Sequence, residues 1–60
     1  NINQATAGEL ETITGIGPSK ATAILQYREE NGAFKSIEEL KNISGIGDKT
    51  FEKLKDEITI

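Results

Sequence analysis

Apolar residues recur along this chain in short helical steps and halt at glycine, twice. Thr6 as N-cap and Glu9 three residues later form a capping box that predicts a first helix, with Leu10 and Ile13 on its inner side at i, i+3 and Gly15 ending it. Gly17 as N-cap and Pro18 at the first helical position predict a second helix from Pro18 to about Glu30, with Ala21, Ile24, Leu25 and either Tyr27 or Arg28 along one side. Asn31-Gly32 stops it, and Ala33-Phe34-Lys35 connects onward with Phe34 anchored in the core. Ser36 and Glu39 repeat the capping box, and Ile37, Leu40 and Ile43 supply the inner face of a short third helix. Gly45-Ile46-Gly47 turns the chain again into a fourth helix from Asp48 to about Asp56, with Phe51, Leu54 and Ile58 inward. Ile2 is a further buried candidate, and Thr59-Ile60 has no assigned role.

The two halves are copies. At an offset of thirty residues, Glu9, Leu10, Ile13, Gly15, Ile16 and Gly17 meet Glu39, Leu40, Ile43, Gly45, Ile46 and Gly47, while Thr6 and Thr14 meet Ser36 and Ser44. A unit that cannot bury its own apolar face must pack on its copy. The expected fold is a single all-α domain over 1–60, four short helices in a compact pseudo-two-fold arrangement, with one hairpin at 6–30, the other at 36–58 and both glycine turns on one side.

Composition narrows the function. Sixty residues support one modest core and no second buried site. The chain has no Cys, His, Met or Trp, which removes disulfides, thiol chemistry, zinc-type ligands and the imidazole of most acid–base catalysis, so no enzymatic activity, catalytic residue or metal site is expected. No apolar run approaches the roughly 20 residues of a membrane span, so no membrane contact by this segment is expected. A chain that opens at Asn1 reads as a piece of something longer.

The formal net charge of -3 opposes a nucleic-acid partner, which a basic footprint usually announces. Its distribution softens the objection, because 12–27 and 41–53 each sum to +1 and the remainder carries -5.

The turns bring in chemistry. A helix start leaves its first backbone N–H groups unpaired and partly positive, so an anion placed there gains hydrogen bonds and a favourable dipole. Gly15 and Gly45 would supply the positive φ of a sharp reversal, and Gly17 and Gly47 would remove the side chain that blocks a phosphate from the backbone. Ile16 and Ile46 would tie each turn to the core. Ser19-Lys20 follows the first turn and Lys49-Thr50 the second, a hydroxyl and an ammonium in each, suited to gripping phosphate without reading a base. Lys53 extends the second group along its helix face, and Thr14 and Ser44 flank the turns. Asp48 repels a phosphate and makes the second hairpin the weaker expected grip. A lone Gly-X-Gly reversal is only a turn; its duplication with both side-chain functions retained is what points to a phosphate site.

Gly15-Ile16-Gly17 with Lys20, and Gly45-Ile46-Gly47 with Lys49, resemble the paired helix-hairpin-helix motifs that bind DNA without sequence preference. Asn1-Ile2-Asn3, Ala5, Tyr27-Arg28-Glu29-Glu30-Asn31-Gly32, Phe34 and Glu38-Glu39-Leu40 resemble the C-terminal domain of the competence protein ComEA family. The resemblance covers nearly the whole chain and implies a tandem helix-hairpin-helix receptor that captures double-stranded DNA during transformation, on the extracellular face of a bacterial membrane or in the periplasm. It also implies that the amides from Gly15 to Lys20 and from Gly45 to Thr50 hold phosphates across the minor groove, and that a monovalent cation can sit at the hairpin carbonyls; no other cofactor is expected. No small-molecule substrate is expected, and a monomer is the expected state. They leave open two rivals: a protein-interaction module, for which Ile2, Ile58 and Ile60 are the spare apolar candidates, and a DNA-holding appendage of a larger DNA-processing enzyme.

Overall fold

A computed structural model describes residues 1–60. Helix α1 spans Ala7–Leu10, α2 Pro18–Asn31 and α3 Asp48–Leu54, with a 3₁₀ helix over Ile37–Asn42 and a 3₁₀ turn over Lys55–Glu57. The domain is all-α, in the tandem arrangement expected.

Three elements differ from the sequence expectation. The first helix keeps α geometry only to Leu10, after which Thr12 N–H donates to Glu9 C=O at 3.2 Å and Ile13 N–H to Leu10 C=O at 3.1 Å, the tighter i→i+3 pattern. Thr12-Ile13-Thr14 is a β-branched run, and such residues crowd an α-helical turn. The third helix is 3₁₀ throughout. Its apolar residues Ile37, Leu40 and Ile43 step strictly by three, which aligns them on one face at 3.0 residues per turn and would drift off it at 3.6. The fourth helix leaves α geometry after Leu54 and ends in the 3₁₀ turn.

The capping boxes form as read. Thr6 Oγ1 accepts from Glu9 N–H at 3.2 Å while Thr6 N–H donates to Glu9 Oε1 at 2.9 Å. Glu39 Oε2 accepts from Ser36 N–H at 3.2 Å and also from Lys35 N–H.

Eleven residues form the core, drawn from both repeats and the connector: Ile2, Leu10, Ile16, Ala21, Ile24, Phe34, Leu40, Ile43, Ile46, Phe51 and Leu54. Ile13, Leu25, Tyr27, Ile37 and Ile58, expected inside, are half-buried against its rim.

Polar ties close the two ends of the chain onto this core. Asn3 pairs with Phe34 twice, its Oδ1 accepting from Phe34 N–H at 2.6 Å and its Nδ2 donating to Phe34 C=O at 3.0 Å. Arg28, weighed as a core residue, instead clamps the N-terminal segment by donating to Ala5 C=O at 2.7 Å and Ile2 C=O at 3.3 Å. Thr59 acquires a role, since its C=O accepts from Ile2 N–H at 2.9 Å. Tyr27 stacks on Phe34 with ring centroids 4.9 Å apart and donates its hydroxyl to Glu39 Oε1 at 3.2 Å, linking α2 to the second half.

Candidate functional site

The two reversals are built alike. Ile13 C=O accepts from Ile16 N–H at 3.0 Å, as Ile43 C=O does from Ile46 N–H at 3.0 Å. Four residues later Gly17 C=O accepts from Ala21 N–H and Gly47 C=O from Phe51 N–H, both at 2.9 Å. Gly15 and Gly45 take φ of +81° and +94°, the left-handed region the turn requires. Ile16 and Ile46 are buried and pin each turn to the core.

Capping separates the hairpin helices from the other two helix starts. The α1 and 3₁₀ starts carry capping boxes, in which Glu9 N–H donates to Thr6 Oγ1, Thr6 N–H to Glu9 Oε1 and Ser36 N–H to Glu39 Oε2. The starts of α2 and α3 rest on Gly17 and Gly47, which have no side chain to cap with. In consequence the N–H groups of Gly17, Ser19 and Lys20, and of Gly47, Asp48, Lys49 and Thr50, have no partner within the domain.

The geometry of these two caps does not call for glycine. Gly17 has φ -101° and ψ -170°, Gly47 φ -96° and ψ -172°, extended backbone open to any residue. A Cβ at either would meet no heavy atom within 4 Å. Neither strain nor internal packing explains these glycines, and their missing side chains leave open space beside the adjacent amides.

Of the remaining candidate residues, Thr14, Ser19, Ser44, Lys49 and Lys53 are exposed, and Lys20 and Thr50 are half-buried. Lys20 packs on Gly45 and Thr50 on Gly15, so each hairpin meets a residue of the other. Thr14 N–H already donates to Glu57 Oε1 at 3.1 Å, and the Thr14 hydroxyl and N–H together hold the Glu57 carboxyl below the usual carboxylate range. Its repeat equivalent Ser44 has no such tie.

The C=O groups of Thr14, Gly15, Ser44 and Gly45 accept no hydrogen bond in the domain.

Lys41 is a site neighbour that sequence reasoning passed over. It pairs with Asp48 at 3.5 Å and lies 4.8 Å from the Phe51 ring centroid, which puts a cation beside the one acidic residue at the second turn. Asp48 stays 88% exposed, so the pair is a surface ion pair of small energy but offsets the local negative charge. The surplus of lysine in 41–53 was the available signal; its pairing across a turn is not visible in linear spacing.

Residues 1–59 match the family described as the helix-hairpin-helix motif. The chain is 60% identical over its full length to ComE operon protein 1 of Bacillus subtilis (strain 168), of which it spans 29%. It is 52% identical over 97% of its length to an uncharacterized protein of Haemophilus influenzae, of which it spans 53%. All 60 residues also align at 43% identity with human endonuclease/exonuclease/phosphatase family domain-containing protein 1, where they correspond to 10% of the length. The chain thus spans about half or less of the curated relatives it matches. With the motif covering it almost end to end, and with two hairpins of the matching build, this chain belongs to the helix-hairpin-helix family.

Proposed function

We propose that this domain binds double-stranded DNA without sequence preference, gripping phosphates at both Gly-Ile-Gly hairpins, as the DNA-receptor domain of a competence or DNA-uptake protein. One observation carries the reading: the two hairpin helices start on side-chain-free caps that leave their amides unpaired, while the other two helix starts cap themselves. An amide donor left in open solvent is satisfied by water, and a phosphate oxygen replaces that water with a charge-assisted bond. Lys49 and Lys53, exposed and without an ion pair, add the long-range attraction that exposed amides lack. The likeness to a ComE operon protein supports the competence setting, and with it a placement at the outer face of a bacterial membrane or in the periplasm. No helix here is long and apolar enough to cross a membrane. In this reading the domain is a non-enzymatic monomer that contacts no small-molecule substrate, with DNA as its partner.

Few ionic contacts imply weak, salt-sensitive binding, with a Kd of about 10⁻⁴–10⁻⁶ M at physiological salt. Fluorescence anisotropy of a labelled random duplex, titrated across salt with an unlabelled single strand as competitor, tests the proposal. Absence of binding even at low salt would sink it. Lys20→Ala and Lys49→Ala should each weaken binding equally across sequences and lower the salt slope by roughly 1.

A second reading has its own observation. A 60-residue stretch 43% identical to this chain lies within a much longer endonuclease/exonuclease/phosphatase family domain-containing protein, which supports use as a DNA-holding appendage. The two readings share the site and diverge in the rest of the chain: a membrane anchor favours the receptor, a nuclease, ligase or helicase domain the appendage.

A further inference from the structure

The third residue of each hairpin helix packs on the opposite hairpin. Lys20 Cε lies 3.4 Å, and its Cγ 3.9 Å, from the position that a Cβ on Gly45 would take. Thr50 Cγ2 lies 3.5 Å from the equivalent position on Gly15. Residues 20 and 50 are repeat equivalents, as are 15 and 45, so one contact is made twice across the pseudo-two-fold. The two versions differ in chemistry, because one carries an ammonium across and the other a hydroxyl.

From this crossing we infer that Lys20 is a positioning residue acting across the domain, delivering its charge to phosphate at the second hairpin with Gly45 as the seat for its stem. The inference rests on the DNA-binding reading above. The ammonium is one bond beyond Cε, so a Cε held against Gly45 places the charge beside the second turn, although the Lys20 N–H opens the first. Burial agrees: Lys20 is half-buried, whereas Lys49 and Lys53 are exposed. No carboxylate pairs with the Lys20 ammonium, which therefore stays available to an incoming anion. The φ of +94° is what requires glycine at 45, and the Lys20 stem lies at ordinary van der Waals distance from where a Cβ would stand.

The charge balance of the two turns changes as a result. Lys20 adds its charge to that of Lys49 on the second hairpin helix, where Lys41 offsets Asp48. The first hairpin is left with hydroxyls, Ser19 on its own helix and Thr50 from across. The second hairpin is thus the more cationic of the two, the reverse of the order that Asp48 alone implies, and the two turns act as one coupled surface.

The test is a ¹⁵N-amide shift titration of the domain with a short random-sequence duplex, comparing wild type with Lys20→Met, which keeps the stem and removes the charge. Expected are weaker binding, a salt slope lower by roughly 1, and a loss of duplex-induced shifts concentrated at Gly45, Gly47 and Lys49. Unchanged binding, or a loss confined to Gly15, Gly17 and Ser19, would overturn the inference while leaving DNA binding intact. In the free wild-type protein, an NOE between Lys20 side-chain methylenes and Gly45 Hα is expected, and its absence overturns the seat without reference to DNA. Thr50→Val gives the mirror readout, with shifts lost at the first hairpin. A wild-type domain that shows no duplex-induced shifts overturns the DNA-binding reading itself and this inference with it.

Discussion

At the scale of single residues, the four turn glycines divide into two kinds that share a letter and nothing else. Gly15 and Gly45 hold positive φ, where a side chain costs roughly 1–2 kcal/mol. Gly17 and Gly47 hold ordinary extended backbone with open space beside them, so alanine there costs at most about 1 kcal/mol, from the weaker N-cap preference. Urea denaturation should accordingly rank Gly15→Ala below Gly17→Ala in stability. Anisotropy with duplex DNA should show the opposite: Gly17→Ala and Gly47→Ala weaken binding by more than their small stability change explains. A folded Gly17→Ala domain that binds DNA as well as wild type would remove the reason given for those glycines. The sequence already distinguished these roles, because a turn glycine before the buried isoleucine and a cap glycine before the helix occupy different positions of the same motif. It did not reveal Lys20 over Gly45, a contact between residues whose separation in the chain carries no periodic signal.

At the scale of elements, caps were easier to read than helix type. Both capping boxes depend on residues three apart and are complete in a local stretch, so Thr6–Glu9 and Ser36–Glu39 were visible before any fold was known. The 3₁₀ character of Ile37–Asn42 was also present, in a three-residue apolar step, but a short run with residues at i and i+3 satisfies α and 3₁₀ alike. What had no local signal was the polar closure of the N-terminal segment. Asn3 and Phe34 lie 31 positions apart and exchange two hydrogen bonds in a half-buried setting. Removing the Asn3 amide leaves both the N–H and the C=O of Phe34 unpaired, each at a cost of about 1–3 kcal/mol. Asn3→Ala should therefore lower the melting temperature by well over the roughly 4–8 °C that accompanies 1 kcal/mol in a domain this small. Circular dichroism melts check this. A shift of a degree or two would mean that water takes over both Phe34 groups.

At the scale of the whole molecule, the halves are joined partly through carboxylates, and that makes stability depend on acid in a defined direction. Glu39 accepts backbone N–H bonds from Lys35 and Ser36 and a hydroxyl bond from Tyr27 of the other half; these interactions, the Lys35 N–H first, lower its pKa. Glu57, lowered by Thr14, fastens the C-terminal turn to the first hairpin across 43 positions. Each carboxyl is more acidic in the folded chain than in the unfolded one, so the unfolded chain takes up protons first as the pH falls. Their contribution is whole above the ordinary carboxylate range near pH 4 and is lost as the pH drops through the lower folded values. Thermal melts from pH 7 down to pH 3 should hold level to about pH 5 and then fall, and Glu39→Gln and Glu57→Gln should each flatten the fall. An acid limb of unchanged slope in both variants would assign the loss to other carboxylates. The two variants differ in what else they touch. Glu57 holds the backbone of Thr14 beside the first turn, so Glu57→Gln is expected to disturb the amides of Gly15 and Gly17, while Glu39→Gln is expected to leave that turn in place. A duplex titration of the pair at neutral pH separates a carboxylate that only joins the halves from one that also sets a hairpin in position.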